Sequence, residues 1–287
     1  ASEIPERIDN IIKHIRLSYP YINIETNLVE TAIEIILDIH SPNYINFLES
    51  LKKEIPQWEE MFWNDFGFID KEPVAFKAKR WYFVSDTYTP FQKYTYKTAK
   101  ESLDSCYTWA NKILWWQRYW YVLTRPPWHH AMKSKASWYC YLANASIIAN
   151  YLSKMHWIKV GILDIDYHHW NWAQTLFYDT DKVITTSIHA HPNRKFPYYT
   201  GFADEIWSWR WLNTNLNTPL EAGVNDEQYL WHLHKSLEFL KKHHIEFLIV
   251  SLGFDTYQKE PLWDFDVSMD WFEKIWNMIK EIDLHTL

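Results

Sequence analysis

The sequence predicts an α/β fold in which a central parallel sheet is covered by helices on both faces, and three observations predict it. From about residue 118, short β-rich runs alternate with helical segments, the pattern that builds parallel sheets. The residues able to do chemistry fall just after those β-rich runs, where open parallel sheets place their ligand crevices. A 287-residue chain with 47% hydrophobic residues can also bury a large core, so one large domain is expected.

The first third reads as helical. Ile8, Ile11, Ile12 and Ile15 recur at helical spacing before Pro20, giving a surface helix with one buried face. In "SPNYINFLESLKKEIP", Ser41 is a candidate N-cap, Pro42 sits in the first turn and Pro56 terminates the helix. The alternating part follows: "YWYVLT" as a strand, a helix over 138–155, "KVGILDID" as a strand, and a short helix near 172–178. "VITTSIH" is the next strand, then a helix from Asn225, the strand "EFLIVSL" and a helix near 268–280. The stretch 207–225, without periodicity, reads as a long loop.

Composition narrows the function. A net charge of −7 with no long basic run argues against a nucleic-acid surface and permits attraction of a cationic substrate. Cys106 and Cys140 form no C-x-x-C, so neither a disulfide framework nor a cysteine-rich zinc site is supported, and a reducing cytoplasm fits. No apolar run approaches the roughly 18 residues of a membrane span, and the charged start "ASEIPERIDN" has no signal-peptide core. Glycine is scarce. Ordinary usage of about 7% predicts roughly 20, whereas the chain has 5 beside 19 tryptophans.

"DIDYHH" places Asp164, Asp166 and His168 at alternate positions, so on an extended strand end all three point to one side. Carboxylate oxygen and imidazole nitrogen are ligands for a divalent cation such as Zn²⁺. Asp255, in "SLGFDTYQKEP", emerges from another strand at the same edge and supplies a third ligand. Two carboxylates and one imidazole leave coordination positions open, as a catalytic site requires. His129 and His130, after "RPPW", offer an acid/base pair. Each motif alone is more often a strand-end cap or a satisfied core histidine; their convergence on one sheet edge reverses that balance. His169 turns away from the ligands by strand alternation and is read as packing, and His243 and His244, beside two lysines, as a solvated helix end.

"RPPWHHA", "WYCYLANA", "ILDIDYHHWNWAQTLFY", "SIHAHPNRKFPYYTGFADE" and "SLGFDTYQKEPL" together, in order and spacing, resemble the histone deacetylase superfamily. Within it, the bacterial acetylpolyamine amidohydrolase-like and histone deacetylase-like amidohydrolases are nearest in character. The resemblance runs from "PERIDNI" to the end of the chain. It implies an arginase/deacetylase-like three-layer α/β/α fold over 1–287, and hydrolysis of N-acetyl amides on amine side chains with Zn²⁺, or sometimes Fe²⁺. It implies that Asp166, His168 and Asp255 hold the metal, that His130 is the general base and later acid, and that His129 is its electrostatic partner. Asp164 would orient the first histidine and Asn171 the second, fixing tautomer and basicity. Tyr139 and Phe196 would wall the substrate tunnel. A structural monovalent cation, K⁺, is implied near Asp164, Asp166, His168, Ser187 and Ile188. The implied partner is an acetylated small amine or an acetyl-lysine, with no direct nucleic acid and no membrane, and with homo-oligomerisation left open.

Two departures from the family stand beside this. The resemblance implies glycine where this chain has Trp128, Trp138, Trp170 and Trp172, and extends the pattern to Trp81, Trp207, Trp209 and Trp211. Bulky residues at such positions are costly, and the expected cause is a source that reads UGA as glycine, translated with a table that reads it as tryptophan. The other departure is "MIKEIDLHTL", which resembles the run into the family's next strand. A Gly-Gly-Tyr segment beyond that strand supplies the family's oxyanion-stabilising tyrosine, so the reading is of a domain cut at both ends. The competing reading is a catalytically silent deacetylase-fold module that binds acylated ligands. Polyamine selectivity is disfavoured, because "VAFKAKRWYFVSDTYTP" carries Lys77, Lys79 and Arg80 with only Asp86 acidic.

Overall fold

The computed structural model describes residues 6–21, 24–57, 59, 71–114, 118–177, 180–206 and 213–287. Two compact units divide the chain: one of Ala1–Asn111 with Tyr121–Asn144, the other of Lys112–Trp120 with Ala145–Leu287.

The first unit is helical. Helix α1 (Glu6–Ser18) forms where the isoleucine spacing places it, but it has no buried residue, so its apolar stripe is only half-covered. After the short α2 (Ile33–Leu37), α3 (Pro42–Glu54) starts as the sequence predicts: the Ser41 hydroxyl accepts from the Tyr44 N–H, with Pro42 in the first turn. Its buried face is Tyr44, Ile45, Phe47, Leu48 and Leu51. Phe47 stacks on Phe83 and meets Phe91 edge-on. Helices α4 (Phe76–Tyr82) and α5 (Thr95–Ile113) complete this unit's regular structure among the described residues.

The second unit holds a five-stranded, all-parallel sheet ordered β3-β2-β1-β4-β5. It is assembled from α6 (Asn144–His156), β1 (Val160–Asp164), α7 (Asn171–Leu176), β2 (Val183–Ala190), β3 (Asn215–Leu220), α8 (Asp226–Lys242), β4 (Phe247–Ser251), α9 (Asp270–Lys280) and β5 (His285–Thr286). β1 and β2 are buried along their whole length, as expected of strands covered on both faces, with Thr185, Thr186, Ser187 and His189 of β2 buried among the apolar residues. Leu233, Leu237 and Leu240 of α8 and Trp271, Ile275 and Ile279 of α9 share one core with Leu163, Ile184, Ile188 and Leu248 of the strands. Helix α8 begins with a full capping box, Asn225 with Gln228.

Three expectations are corrected. "YWYVLT" is not a strand: Tyr119 bridges Thr286, and no ladder forms beyond it. The prolines that follow supply no N–H groups. The helix expected over 138–155 begins only at Asn144, because Ser137–Cys140 is a tight turn with reciprocal backbone bonds. The supposed loop 207–225 contains β3, and its residues 207–212, with Trp207, Trp209 and Trp211, lie outside the described residues. β3 was obscured by its asparagines and Pro219, which a strand tolerates at the edge of a sheet. Among the described residues, no helix is long and apolar enough to cross a membrane.

Candidate active site

β1 and β4 are parallel neighbours with Asp164 opposite Ser251, so the segments leaving their carboxyl ends meet. The chain leaving β1 is not the extended strand end that the alternation suggests. β1 stops at Asp164, whose Oδ1 accepts the Asp166 N–H at 3.0 Å; Asp166 Oδ1 in turn accepts the His168 N–H at 2.8 Å. These side-chain bonds replace ladder bonds and curl the backbone into successive bends. The curl still delivers the predicted set. One donor atom each from Asp166, His168 and Asp255 lie within 4.8 Å of one another.

Nδ1 of His168 sits between the carboxylates, 3.2 Å from Asp166 Oδ1 and 3.0 Å from Asp255 Oδ2. The other Asp255 oxygen accepts the Tyr167 N–H at 2.9 Å. Gly253 makes this approach possible: a Cβ there would lie 2.2 Å from Asp166 Oδ2 and 2.8 Å from the Asp166 Cα, so any side chain would displace the carboxylate. Burial, and then the charge of Asp166, raise the Asp255 pKa, against hydrogen bonds from His168 and Tyr167. Burial works against protonation of His168, but hydrogen bonds and charge from Asp166 and Asp255 prevail and raise its pKa to about 9. Two carboxylates that draw a proton onto the imidazole between them make a donor set suited to a divalent cation, and the residues therefore fit a metal.

Asp164 is fully buried, and the β1–β2 register sets Ser187 opposite it. Ser187 Oγ lies 2.8 Å from His189 Nδ1, and His189 Nε2 lies 2.8 Å from the Gly201 carbonyl. Ile188 is buried on β2 beside Ser187. Asn171, the first residue of α7, donates to the Tyr199 hydroxyl at 2.7 Å. Phe196, half-buried, follows Arg194 and Lys195 in the loop beyond β2. His169 packs as expected, its ring 4.5 Å from that of His189.

In the first unit, His129 and His130 lie in a turn with ring centroids 3.9 Å apart, and His130 is 3% exposed. Tyr139 occupies the turn between Ser137 and Cys140. That turn is anchored by two residues to which sequence reasoning gave no such role: Asp86 Oδ2 accepts the Trp138 N–H at 2.6 Å, and Thr89 Oγ1 accepts the Tyr139 N–H at 3.0 Å. Asp86 also takes the N–H groups of Tyr88 and Thr89 and the Thr89 hydroxyl. The Asp-x-x-Thr spacing of "DTYT" was the available signal. Of the tryptophans expected to stand at family-glycine positions, Trp138 has a left-handed backbone, φ 45°, and Trp170 an ordinary one, φ −81°.

A carboxylate–imidazole–carboxylate cluster lies beyond the strand ends of a parallel α/β sheet, and the proteins similar to this chain are of the deacetylase and amidohydrolase class of hydrolase. The comparisons give that class its family: the histone deacetylase domain matches residues 1–286, and the chain belongs to the histone deacetylase family. An acetylpolyamine amidohydrolase of Burkholderia pseudomallei is 31% identical over 260 residues, 88% of this chain and 75% of that protein. Histone deacetylase 15 of Arabidopsis thaliana is 31% identical over 233 residues, 80% of this chain and 42% of its own length. The crystal structure of an acetylpolyamine aminohydrolase from B. pseudomallei superposes with a TM-score of 0.90 at 28% identity, covering 100% of this chain and 84% of that one.

Binding of a divalent cation at this cluster would depend on pH with a defined sign. A cation ligated by His168 would displace its proton, so affinity for Zn²⁺ should fall as the pH drops below about 9. Calorimetry in buffers of different ionisation enthalpy should show about one proton released near pH 7. Asp166→Ala and Asp255→Ala should abolish binding, and Gly253→Ala should weaken it severely while the thermal melt stays cooperative. Unchanged affinity in all three variants rules the site out.

Proposed function

We propose that this protein is a metal-dependent amidohydrolase that removes acetyl groups from amines, from acetylated small amines to acetyl-lysine side chains. The observation that carries the reading is the convergence of Asp166, His168 and Asp255 within 4.8 Å in a chain of the histone deacetylase family. A Zn²⁺ ion, or Fe²⁺, held by these three would polarise the acyl carbonyl and bring the pKa of water to about 7.

The chain's own residues supply the rest. In this reading, one ring nitrogen of His130 accepts the proton of the attacking water and later hands it to the leaving amine. Its near-complete burial keeps that proton from bulk solvent. His129, its ring tilted against that of His130, biases the charge of the pair. Asp164 and Asn171 orient the two histidines, and Tyr139 and Phe196 flank the acyl chain. A K⁺ ion near Asp164, Ser187 and Ile188 would stiffen the turn that leaves β1. Asp86, the acidic residue of the 74–90 segment and just beyond α4, spends both oxygens on backbone and hydroxyl donors. It is thereby committed to the turn, which supports recognition of the acyl amide over recognition of a polycation.

His130→Ala should lower kcat by about 10²–10⁴-fold on a fluorogenic acetyl-lysine amide and on N-acetylputrescine, with Zn²⁺ affinity within a few-fold of wild type. His129→Ala should be milder. Equal turnover by wild type and His130→Ala, or no turnover by a zinc-loaded wild type, would instead favour a silent module that binds acylated ligands.

A further inference from the structure

The turn that bears the proposed ligands is held at one point that the reading above does not use. Tyr167, between Asp166 and His168, is completely buried, and its ring packs edge-on against Phe265. Its hydroxyl donates to Asp264 Oδ1 at 2.7 Å. The other Asp264 oxygen takes Arg194 Nη2 at 2.5 Å, with Lys195 Nζ at 3.5 Å. Arg194 also reaches Glu221, just past β3, at 3.3 Å. One carboxylate thus joins three segments: the turn after β1, the loop after β2 that leads into Phe196, and the stretch after β4 that contains Asp255.

We propose that Asp264 is a positioning residue, which fixes the ligand turn through the Tyr167 hydroxyl and ties that turn through Arg194 to the loop bearing Phe196. The proposal rests on the reading of Asp166, His168 and Asp255 as a metal site. Packing alone does not require the hydroxyl, since a phenylalanine would fill the same space; a buried hydroxyl is costly unless bonded, and this one is bonded to a charged acceptor, the stronger kind of hydrogen bond. Tyr167 moves nothing by itself. It has Asp166 and His168 as covalent neighbours, and its N–H holds Asp255, so a shift of its ring is felt by all three donors.

The test uses Co²⁺ as probe, followed by its visible absorption, with Tyr167→Phe, Asp264→Asn and the double variant. Each single change should weaken Co²⁺ binding about 10–100-fold, the double no more than the worse single, and Asp264→Glu should recover part of the loss. Arg194→Gln should raise KM for the acetyl-lysine amide and leave Co²⁺ affinity near wild type. Wild-type affinity in both singles, or losses that multiply in the double, overturns the proposal alone. A wild-type chain that binds no Co²⁺ overturns the metal-site reading and this proposal with it.

A second, independent observation lies in the backbone. Trp138 and Tyr139 are the central residues of a two-residue turn, with φ 45° and 64°, between Ser137 and Cys140, which exchange both backbone bonds. Trp157 directly follows α6 with φ 59°, the position where helices most often end on glycine. Positive φ in so bulky a residue is a genuine outlier. Buried indoles ordinarily find an acceptor, yet the ring N–H groups of Trp170, Trp172 and Trp271 are buried with none among the described residues. The geometry points to glycine as the natural residue at 138 and 157, encoded by UGA and written as tryptophan. Trp157 is supplied by the structure and not by the family resemblance, and returning the suspect tryptophans to glycine narrows the glycine deficit. UGA codons at both positions are expected; UGG at both overturns the inference. In the protein as written, Trp138→Gly and Trp157→Gly should each raise Tm by several degrees, and unchanged or lower melts also count against it.

Discussion

The site is organised by the repulsion of two carboxylates that the fold holds together. Asp166 and Asp255 present oxygens within 4.8 Å of each other, which at an effective dielectric of about 20 costs roughly 3 kcal/mol or more. A chain keeps such a pair only if something pins both groups. The pins are visible: Asp164 ends β1 and captures the Asp166 N–H, the Tyr167 N–H captures Asp255, and the absent side chain of Gly253 leaves the space the Asp166 carboxylate fills. The all-parallel sheet brings the ends of β1 and β4 into one register. A proton on His168 partly relieves the repulsion, which is why its pKa rises to about 9 despite burial. A divalent cation would relieve it more completely.

How much of this was legible depends on what kind of force fixes each part. Continuous burial writes itself into composition, so β1, β2 and β4 are found where "KVGILDID", "VITTSIH" and "EFLIVSL" stand. Capping is equally local: Ser41 and Asn225 begin their helices as the sequence implies. Edge pairing is not local. β3 owes its strand state to β2 alone, and its Asn and Pro residues give no sign of it. "YWYVLT" fails in the opposite sense, having β-forming residues without a partner beyond Tyr119.

The site shows the same division. Alternation along an extended strand groups Asp164, Asp166 and His168 for the wrong geometric reason, since the chain curls immediately after Asp164. The grouping survives because the curl is itself made by the carboxylates of the motif. Asp255 could be assigned to the cluster because it follows a parallel neighbour. The roles of Asp264 and Asp86 were hidden, for each acts through contacts whose partners are far away in sequence: Asp264 with Tyr167 and Arg194, Asp86 with Trp138.

Trp138 shows where local chemistry and global fold disagree. Every other feature of its turn is consistent: Asp86 and Thr89 receive the two N–H groups of the turn, and Ser137 and Cys140 close it reciprocally. These bonds hold both central residues at positive φ, and a two-residue turn of this kind favours Gly, Asn or Asp at its centre. Sequences that fold reliably agree with their structure at each level, so a conflict of this kind is informative; Tyr139, Tyr198 and His244 also hold positive φ. The conflict recurs at the end of α6 with the same residue type and the same sign of φ.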